Sequence, residues 1–226
     1  MGEGCAGKAV TPEFYQLARE LCTEHDTLLL VDSIQAGLRC TGRLSIVDYP
    51  GFEELPGPDF ETFSKALNGG QFPMSVIAMS NKAAESYALG CYGNTMTGNP
   101  RAMDIASTVL DQHNDEITSN ICEMGIYFQH CLLELQNKYP TLIEDVTGAG
   151  LLLSCKLASH LSVVGPDNIE QKIRLEGVNV IHGSDNRLRF TPWFKINKEE
   201  INLIINVVEK IFLAQATCDN TNITKK

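Results

Sequence analysis

The pattern of hydrophobic and polar positions in the first half of the chain predicts helices that alternate with buried strands. Thr11 can cap a first helix that has Pro12 at its first position. The apolar stripe of this helix consists of Phe14, Leu17, Ala18 and Leu21. The run TLLLVD predicts a buried strand that ends in Asp32. Three strands are predicted in this half, at 27–31, 60–64 and 74–79.

Longer helices and a cluster of short strands are predicted in the second half. A loop rich in Gly and Asn leads into a helix that Asn99 can cap, with Pro100 at its first position. A second helix is predicted over 119–138, and a last one opens at the capping pattern Asn197-x-x-Glu200. Four short strands are predicted between these two helices, at 143–146, 151–157, 178–181 and 187–190.

The chain is long enough for two domains. It has 226 residues, of which 43% are hydrophobic and 20% are charged, and this is enough apolar material for one large core or two smaller ones. The order of elements predicts an α/β domain with a parallel sheet over 1–118 and a small α+β domain over 119–214. A polar tail over 215–226 is expected to be loose.

Charge and composition exclude several classes of protein. The net charge of −10 is modest for this length, so disorder is not expected as the main state. The acidic balance argues against nucleic acid or an anionic membrane surface as the main partner. No apolar stretch approaches the roughly 20 residues that cross a bilayer, and the start MGEGCAGKAV has no targeting pattern. We expect a soluble protein inside the cell, in the cytoplasm or the mitochondrion.

The eight cysteines and five histidines do not form metal-binding patterns. No two cysteines are spaced as CxxC, and the histidines are not clustered. Scattered cysteines of this kind are more often reduced core residues, so no metal site is expected.

Asp32 and Lys65 are candidates for chemistry because of where they stand relative to predicted strands. Asp32 closes a buried strand, and the carboxyl ends of parallel strands are where α/β proteins bind ligands. The alternative for Asp32 is a solvated carboxylate at a strand end. Lys65, in FSKALNGG, lies between a buried strand and a Gly-Gly turn, where a desolvated amine can attack a carbonyl. The alternative for Lys65 is a lysine that only keeps the surface soluble.

Two further segments carry polar groups in suggestive patterns. In GCYGNTMTGNP, the glycines leave backbone N–H groups open and Thr95 adds a hydroxyl, as in loops that bind phosphate. A plain loop explains this segment equally well. Arg187 and Arg189 alternate in RLRFTP, so they share one face of a strand and could bind a carboxylate. A pair of surface arginines is the alternative.

These segments become specific when they are taken together and in order. The chain contains GEG, then TPEFYQLARELCTEHDTLLLVDSIQAGLRCTGRL, then PDFETFSKALNGGQFPMSVIA, then YGNTMTGNP, then LRFTP. In this order and spacing they resemble the class III, pyridoxal-phosphate-dependent aminotransferases, and among them the ornithine-type enzymes. The resemblance runs from Gly2 to about Ala214. It implies part of the fold-type I large domain, with a mainly parallel sheet, followed by a small α+β C-terminal domain.

The resemblance implies roles for four residues at a bound pyridoxal 5'-phosphate. Lys65 matches the lysine that forms a Schiff base with the cofactor, and Asp32 matches the carboxylate that pairs with the pyridine nitrogen. Gln35 matches the residue that hydrogen-bonds the phenolic oxygen of the cofactor. Thr95 matches the threonine that reaches the phosphate held by a neighbouring subunit, so a homodimer is expected for a full-length form.

The same resemblance implies a substrate and a reaction. Arg189 matches the arginine that binds the α-carboxylate of the substrate, and Glu3 matches the glutamate that pairs with that arginine in ornithine-type enzymes. The expected reaction moves the terminal amino group of ornithine, or of a related donor, to a 2-oxo acid. Another pyridoxal-phosphate reaction, such as decarboxylation or racemisation, is a less favoured alternative.

Two departures from the family pattern affect what is expected. Ser33 stands where the family usually has glutamate. The sequence also begins at about the middle of the family's chain, so the glycine-rich turn that binds the cofactor phosphate and the first strands of the large domain are not in it. An inactive, truncated homologue that acts as an interaction partner is therefore the alternative function.

Overall fold

Two units make up the part of the chain that the structure describes. The computed structural model describes residues 7–48 and 50–223, with side chains described up to residue 215. Unit 1 comprises the described residues from Ala9 to Ser119, and unit 2 comprises 7–8 together with the described residues from Asn120 onward. Glu3, the predicted partner of Arg189, lies outside the described residues.

Unit 1 contains the first three strands and the first three helices. Most predicted strands are shorter in the structure than in the prediction, and both predicted helix starts are present. The elements are α1 (Pro12–Glu24), β1 (Leu30–Asp32), β2 (Phe60–Phe63), a 3₁₀ turn (Lys65–Asn68), β3 (Val76–Met79), α2 (Asn81–Glu85) and α3 (Pro100–Gln112).

The strands of unit 1 form a three-stranded sheet in the order β1-β2-β3. β1 and β2 are parallel, with Asp32 opposite Thr62, whereas β3 runs antiparallel to β2. Only one of the two strand pairs is therefore parallel, against a predicted parallel sheet. The connection from β2 to β3, residues 64–75, contains a 3₁₀ turn but no crossover helix, and a parallel return usually needs such a helix.

Helix α1 begins as predicted but packs differently. The Thr11 Oγ1 accepts the Phe14 N–H at 3.3 Å, which is the expected cap. The predicted apolar stripe, however, is at the surface, since Phe14 is 64% exposed and Leu17 is 54% exposed. The buried residue of α1 is Tyr15, whose hydroxyl donates to the Pro56 carbonyl at 2.8 Å. No described element of unit 1 covers this stripe.

A buried carboxylate, Asp59, joins four elements of unit 1. It accepts hydrogen bonds from the Leu29 N–H at 2.8 Å, from Arg19 at 2.6 Å and from the Ser80 hydroxyl at 3.3 Å. The Leu29 N–H and then the Arg19 guanidinium lower the pKa of Asp59, while burial alone would raise it. Asp59 therefore holds α1 and the start of α2 against the beginning of β1 and β2.

Unit 2 contains the long helices and the antiparallel sheet. The elements are α4 (Asp115–Lys138, which begins within unit 1), β4 (Ile143–Ala149), β5 (Leu152–Leu157), α5 (Ile169–Leu175), β6 (Ile181–Gly183), β7 (Arg187–Phe190) and α6 (Lys198–Ile223). The strands form one sheet in the order β4-β5-β7-β6. Strand β7 has the predicted bounds, and α6 continues past Gln215, where the sequence predicts a loose tail.

The core of unit 2 forms where α4 and α6 each bury an apolar face. Phe128 and Phe212 are fully buried, and Phe128 packs edge-on against Phe190 with ring centroids 5.3 Å apart. Helix α4 approaches the turn between β4 and β5 so closely that a Cβ on Gly125 would lie 2.4 Å from the Cα of Gly150. The predicted capping box is present, because the Asn197 N–H donates to Glu200 and the Glu200 N–H donates to Asn197.

None of the helices in the described ranges 7–48 and 50–223 has the length and apolar character needed to span a membrane.

The first prediction concerns Asp59. Asp59→Asn removes a buried charge that Arg19 neutralises, so we expect unit 1 to lose about 2–4 kcal/mol of stability at pH 7. Because the pKa of Asp59 is lowered in the folded chain, this contribution is present above the ordinary aspartate value of about 3.9 and is lost as the pH falls below it. Urea unfolding, monitored by hydrogen exchange of the amides of β1 and β2, measures the loss of stability at each pH.

The matched control is Asp26→Asn, which removes an ion pair with Lys82 on the surface of the same unit. Exposed pairs contribute about 0–1 kcal/mol, so this variant should unfold close to the wild type. Equal losses in the two variants, or a loss in Asp59→Asn that does not change with pH, would contradict the assignment.

Candidate active site

The carboxyl ends of β1 and β2 bring a carboxylate to an exposed position. Asp32 is the last residue of β1 and stands opposite Thr62 in the parallel register. Its Oδ1 accepts the Ile34 N–H at 2.9 Å and the Thr62 hydroxyl at 3.4 Å. These bonds orient the carboxylate while its side chain stays open to solvent. Asp32 is thus available to a ligand at the strand end, as the sequence predicts.

Lys65 lies at the end of the neighbouring strand. Ser64 follows β2, and Lys65 then begins the 3₁₀ turn with φ of 46°, a left-handed conformation that is uncommon for residues other than glycine. The Lys65 Nζ donates to the Gln35 Oε1 at 3.1 Å and is otherwise exposed to solvent. Strained backbone of this kind persists where the surrounding structure imposes it, and it is common at functional sites.

The turn after β1 places Gln35 beside Lys65. The Gly37 N–H donates to the Ser33 carbonyl at 2.9 Å and closes this turn. A Cβ on Gly37 would lie 2.4 Å from the Leu44 carbonyl oxygen, so only glycine allows the two backbone segments to approach this closely. The structure therefore brings together Asp32, Gln35, Thr62 and Lys65, which we call the strand-end site. Thr62 was missed in the sequence, although a polar residue at an alternating strand position could have indicated it.

Thr95 is not part of the strand-end site in the described chain. It lies in an exposed turn in which the Asn94 side chain accepts the Met96 N–H at 2.8 Å. Within the described residues it makes no hydrogen bond to Asp32, Gln35 or Lys65. Two large apolar side chains of this loop, Leu89 and Tyr92, are also exposed. The predicted contact of Thr95 with a phosphate stays a prediction.

The two arginines of β7 have different surroundings in unit 2. Arg187 is only 2% exposed, and its guanidinium donates to Asp145 at 2.6 Å and to the Thr147 hydroxyl at 3.0 Å. Arg189 is half-buried, and its Nη2 donates to the His182 carbonyl at 3.3 Å. Arg187 is thus a structural ion-pair partner rather than a surface residue, and Arg189 is the better placed of the two to meet a ligand.

The buried cysteines do not add to this chemistry. Burial raises the pKa of the Cys40 thiol to about 12, and it also raises the pKa of the Cys155 thiol to about 12. Both thiols therefore stay protonated at neutral pH and are poor nucleophiles and metal ligands. Across the part of the chain that the structure describes, no group of three or more His, Cys, Asp or Glu side chains could hold a metal ion.

Comparison with known proteins shows the family of this chain. The family model for class III aminotransferases matches residues 2–212. The ornithine aminotransferase of Staphylococcus epidermidis is 32% identical over 212 residues, which are 93% of this chain and 50% of that protein. The acetylornithine aminotransferase of Agrobacterium fabrum is 33% identical over 200 residues, which are 88% of this chain and 47% of that protein.

A solved structure agrees with these relatives. The ornithine aminotransferase of Toxoplasma gondii, described with partial occupancy of PLP at its active site, is 31% identical with a TM-score of 0.75. The likeness covers 90% of this chain and 47% of that one, and it confirms the predicted fold. The chain spans about half the length of the curated relatives it matches. The resemblance seen in the sequence motifs is confirmed, and the chain belongs to the class III aminotransferase family.

Proposed function

We propose that this chain contributes the lysine-bearing part of a pyridoxal-phosphate-dependent aminotransferase. The expected reaction moves the terminal amino group of ornithine, or of a related donor, to a 2-oxo acid. The observation that carries the proposal is the strand-end site, in which the Lys65 amine lies 3.1 Å from Gln35 and Asp32 closes the adjacent parallel strand. Ornithine and acetylornithine aminotransferases among the relatives support this donor class.

The residues of the strand-end site fit the ring and the aldehyde of pyridoxal phosphate. An exposed carboxylate at Asp32 suits a protonated pyridine nitrogen, because an adjacent anion keeps that nitrogen charged. An exposed primary amine at Lys65 suits an aldehyde, and Gln35 offers a side-chain amide to a phenolic oxygen. Asp32, Gln35 and Lys65 would supply the ring contacts, and Thr95 is the one residue assigned to a phosphate.

Each residue of the site then has a defined task. When bound, pyridoxal phosphate supplies an electron sink for the bonds of a substrate amine carbon. Asp32 would keep a proton on the ring nitrogen by its negative charge, and Thr62 and the Ile34 N–H keep that carboxylate oriented. Lys65 would hold the cofactor through its Nζ, and its free amine would accept and return the proton of the substrate carbon. Gln35 keeps the Lys65 side chain on this side of the turn.

Arg189 is proposed to bind the α-carboxylate of the substrate. Its guanidinium can form two parallel hydrogen bonds to a carboxylate, and its half-buried position strengthens them relative to a fully solvated arginine. Glu3 is proposed to cover Arg189 while a donor with a terminal amine reacts. Thr95, in its exposed loop, is proposed to reach the phosphate in a second subunit, which makes a homodimer the expected assembly.

A non-catalytic interaction partner is the second candidate function. Strand β1 pairs only with β2 among the described strands, so its outer edge is open there. Leu30 on this edge and the stripe of α1 are exposed as well. Open edges beside apolar surface favour association with another polypeptide. Covalent attachment of the cofactor to Lys65 separates the two candidates, since only the enzyme requires it.

We predict that Lys65 is the residue that carries the cofactor. Borohydride adds hydride to a C=N bond, so it should convert the lysine–cofactor link into a stable secondary amine on Lys65. Peptide mass spectrometry of the treated holoenzyme that contains this chain locates the added mass. Lys82, which is exposed and paired with Asp26 in the same unit, serves as the internal control. Modification elsewhere, with Lys65 unmodified, would refute the assignment.

We also predict that the substitution of lysine for Arg189 lowers activity, whereas the same substitution for Arg187 lowers stability. Arg189→Lys should lose bidentate binding and lower kcat/KM for the 2-oxo acid by about 2–4 kcal/mol in transition-state free energy, with little change in stability. Arg187→Lys should lower the urea midpoint of unit 2, read by the fluorescence of Trp193, the one tryptophan of the chain. Arg101→Lys, on exposed α3, is the control for both measurements.

The opposite pattern would contradict the roles assigned to β7. If Arg187→Lys reduced turnover at unchanged stability while Arg189→Lys had no effect, the assignment of the substrate carboxylate to Arg189 would be wrong.

A further inference from the structure

A buried carboxylate lies beneath the strand-end site. Glu61, on β2, is 8% exposed, and Ser33, directly after β1, is 2% exposed. The Ser33 hydroxyl donates to the Glu61 Oε1 and accepts the Ile46 N–H at 3.1 Å. Within the described part of the chain, no lysine, arginine or histidine lies within ion-pair distance of Glu61. Its one hydrogen-bond partner there is Ser33.

Such a carboxylate is an unfavourable choice for packing alone. A buried charge without a cation is destabilising, and an apolar side chain of similar size usually fills such a position at least as well. Polar groups placed in a core in this way act instead by fixing one arrangement of the groups that they bind. The role of Glu61 therefore depends on which backbone groups Ser33 binds.

Ser33 is a junction of three backbone segments. Its N–H donates to the Thr62 carbonyl at 3.0 Å, which continues the parallel pairing of β1 and β2 by one residue. Its carbonyl accepts the Gly37 N–H at 2.9 Å, which closes the turn that carries Gln35. Its hydroxyl reaches the segment around Ile46. Because successive side chains of a strand point to opposite faces, Ser33 lies on the face opposite Asp32.

We propose that Ser33 and Glu61 are positioning residues for Asp32 and Gln35. Glu61 accepts the hydrogen bond of the Ser33 hydroxyl, and the lone pairs of the Ser33 oxygen are therefore directed at the Ile46 N–H. These two hydrogen bonds hold the backbone at Ser33 in one conformation. The Asp32 carboxylate and the Gln35 side-chain amide therefore keep their directions. This inference rests on the proposed function of Asp32 and Gln35. It also gives Ser33 a role. The family usually has a glutamate at this position, and in this chain Glu61 on the neighbouring strand supplies a carboxylate beside the serine.

Hydrogen exchange of single amides tests this arrangement in the full chain. The Ile34 N–H reports on the Asp32 carboxylate that it binds, and the Gly37 N–H reports on the turn of Gln35. In Glu61→Leu we expect both amides to exchange at least tenfold faster, while the urea midpoint of unit 1 stays the same or rises. That combination separates positioning from a merely structural role, which would lower the urea midpoint of unit 1 as exchange becomes faster.

Three further variants complete the experiment. Ser33→Ala should accelerate the same two amides, and Ser33→Thr, which keeps the hydroxyl, should restore slow exchange. Ser45→Ala, which removes another hydroxyl bond in the same segment, the one that accepts the Val47 N–H at 3.1 Å, is the matched control and should leave both amides unchanged. If Ser33→Ala unfolds unit 1, Glu61→Leu decides the outcome.

Two results would overturn the proposal. Unchanged exchange at Ile34 and Gly37 in Glu61→Leu would show that Glu61 positions nothing. Equal acceleration of all amides of unit 1 in Glu61→Leu would show a structural role only. Neither readout uses the cofactor, so a failure of the proposed enzymatic function, seen as no modification of Lys65, is distinguished from a failure of this inference.

Discussion

The parallel pairing of β1 with β2 is the constraint on which the candidate site depends. It sets Asp32 opposite Thr62, and Lys65 follows three residues after Thr62, at the start of the 3₁₀ turn beyond β2. A slip of one residue in this register would move every side chain of a strand to the other face. The Asp32 side chain would then lie on the buried face of the sheet, and the Ser33 side chain would lie on the exposed face. The Asp59 carboxylate stabilises this register at the start of β1, because it accepts the N–H of Leu29, the residue just before β1.

Charged side chains have two kinds of role in this chain, and burial distinguishes them. Asp59 and Arg187 are buried, each has an opposite charge within 2.6 Å, and both hold elements together. Asp32 and Lys65 are exposed and make fewer contacts within the chain. The first kind contributes to stability, whereas the second kind is available to a ligand. This contrast also explains why two arginines on the same face of β7 are expected to respond differently to the same substitution.

Much of the local structure could be predicted from the sequence because it depends on neighbouring residues. The Thr11 cap and the bounds of β7 follow from short-range chemistry and alternation, and the structure confirms them. The exposure of Phe14 could not be predicted in this way, since an apolar stripe does not show what covers it. The same is true of Glu61, because nothing near it in the sequence shows that it meets the Ser33 hydroxyl.

We propose that Asp32, Gln35 and Lys65 form the cofactor site of an aminotransferase that needs more of the family fold than this chain spans. The most direct measurement adds pyridoxal phosphate to the purified chain, alone and together with a polypeptide that supplies the N-terminal half of the family fold. We expect visible absorption of the bound cofactor and ornithine-dependent glutamate formation only in the combined sample, and loss of both in Lys65→Ala. Full activity of the chain alone, or a combined sample in which Lys65→Ala keeps both signals, would contradict this account.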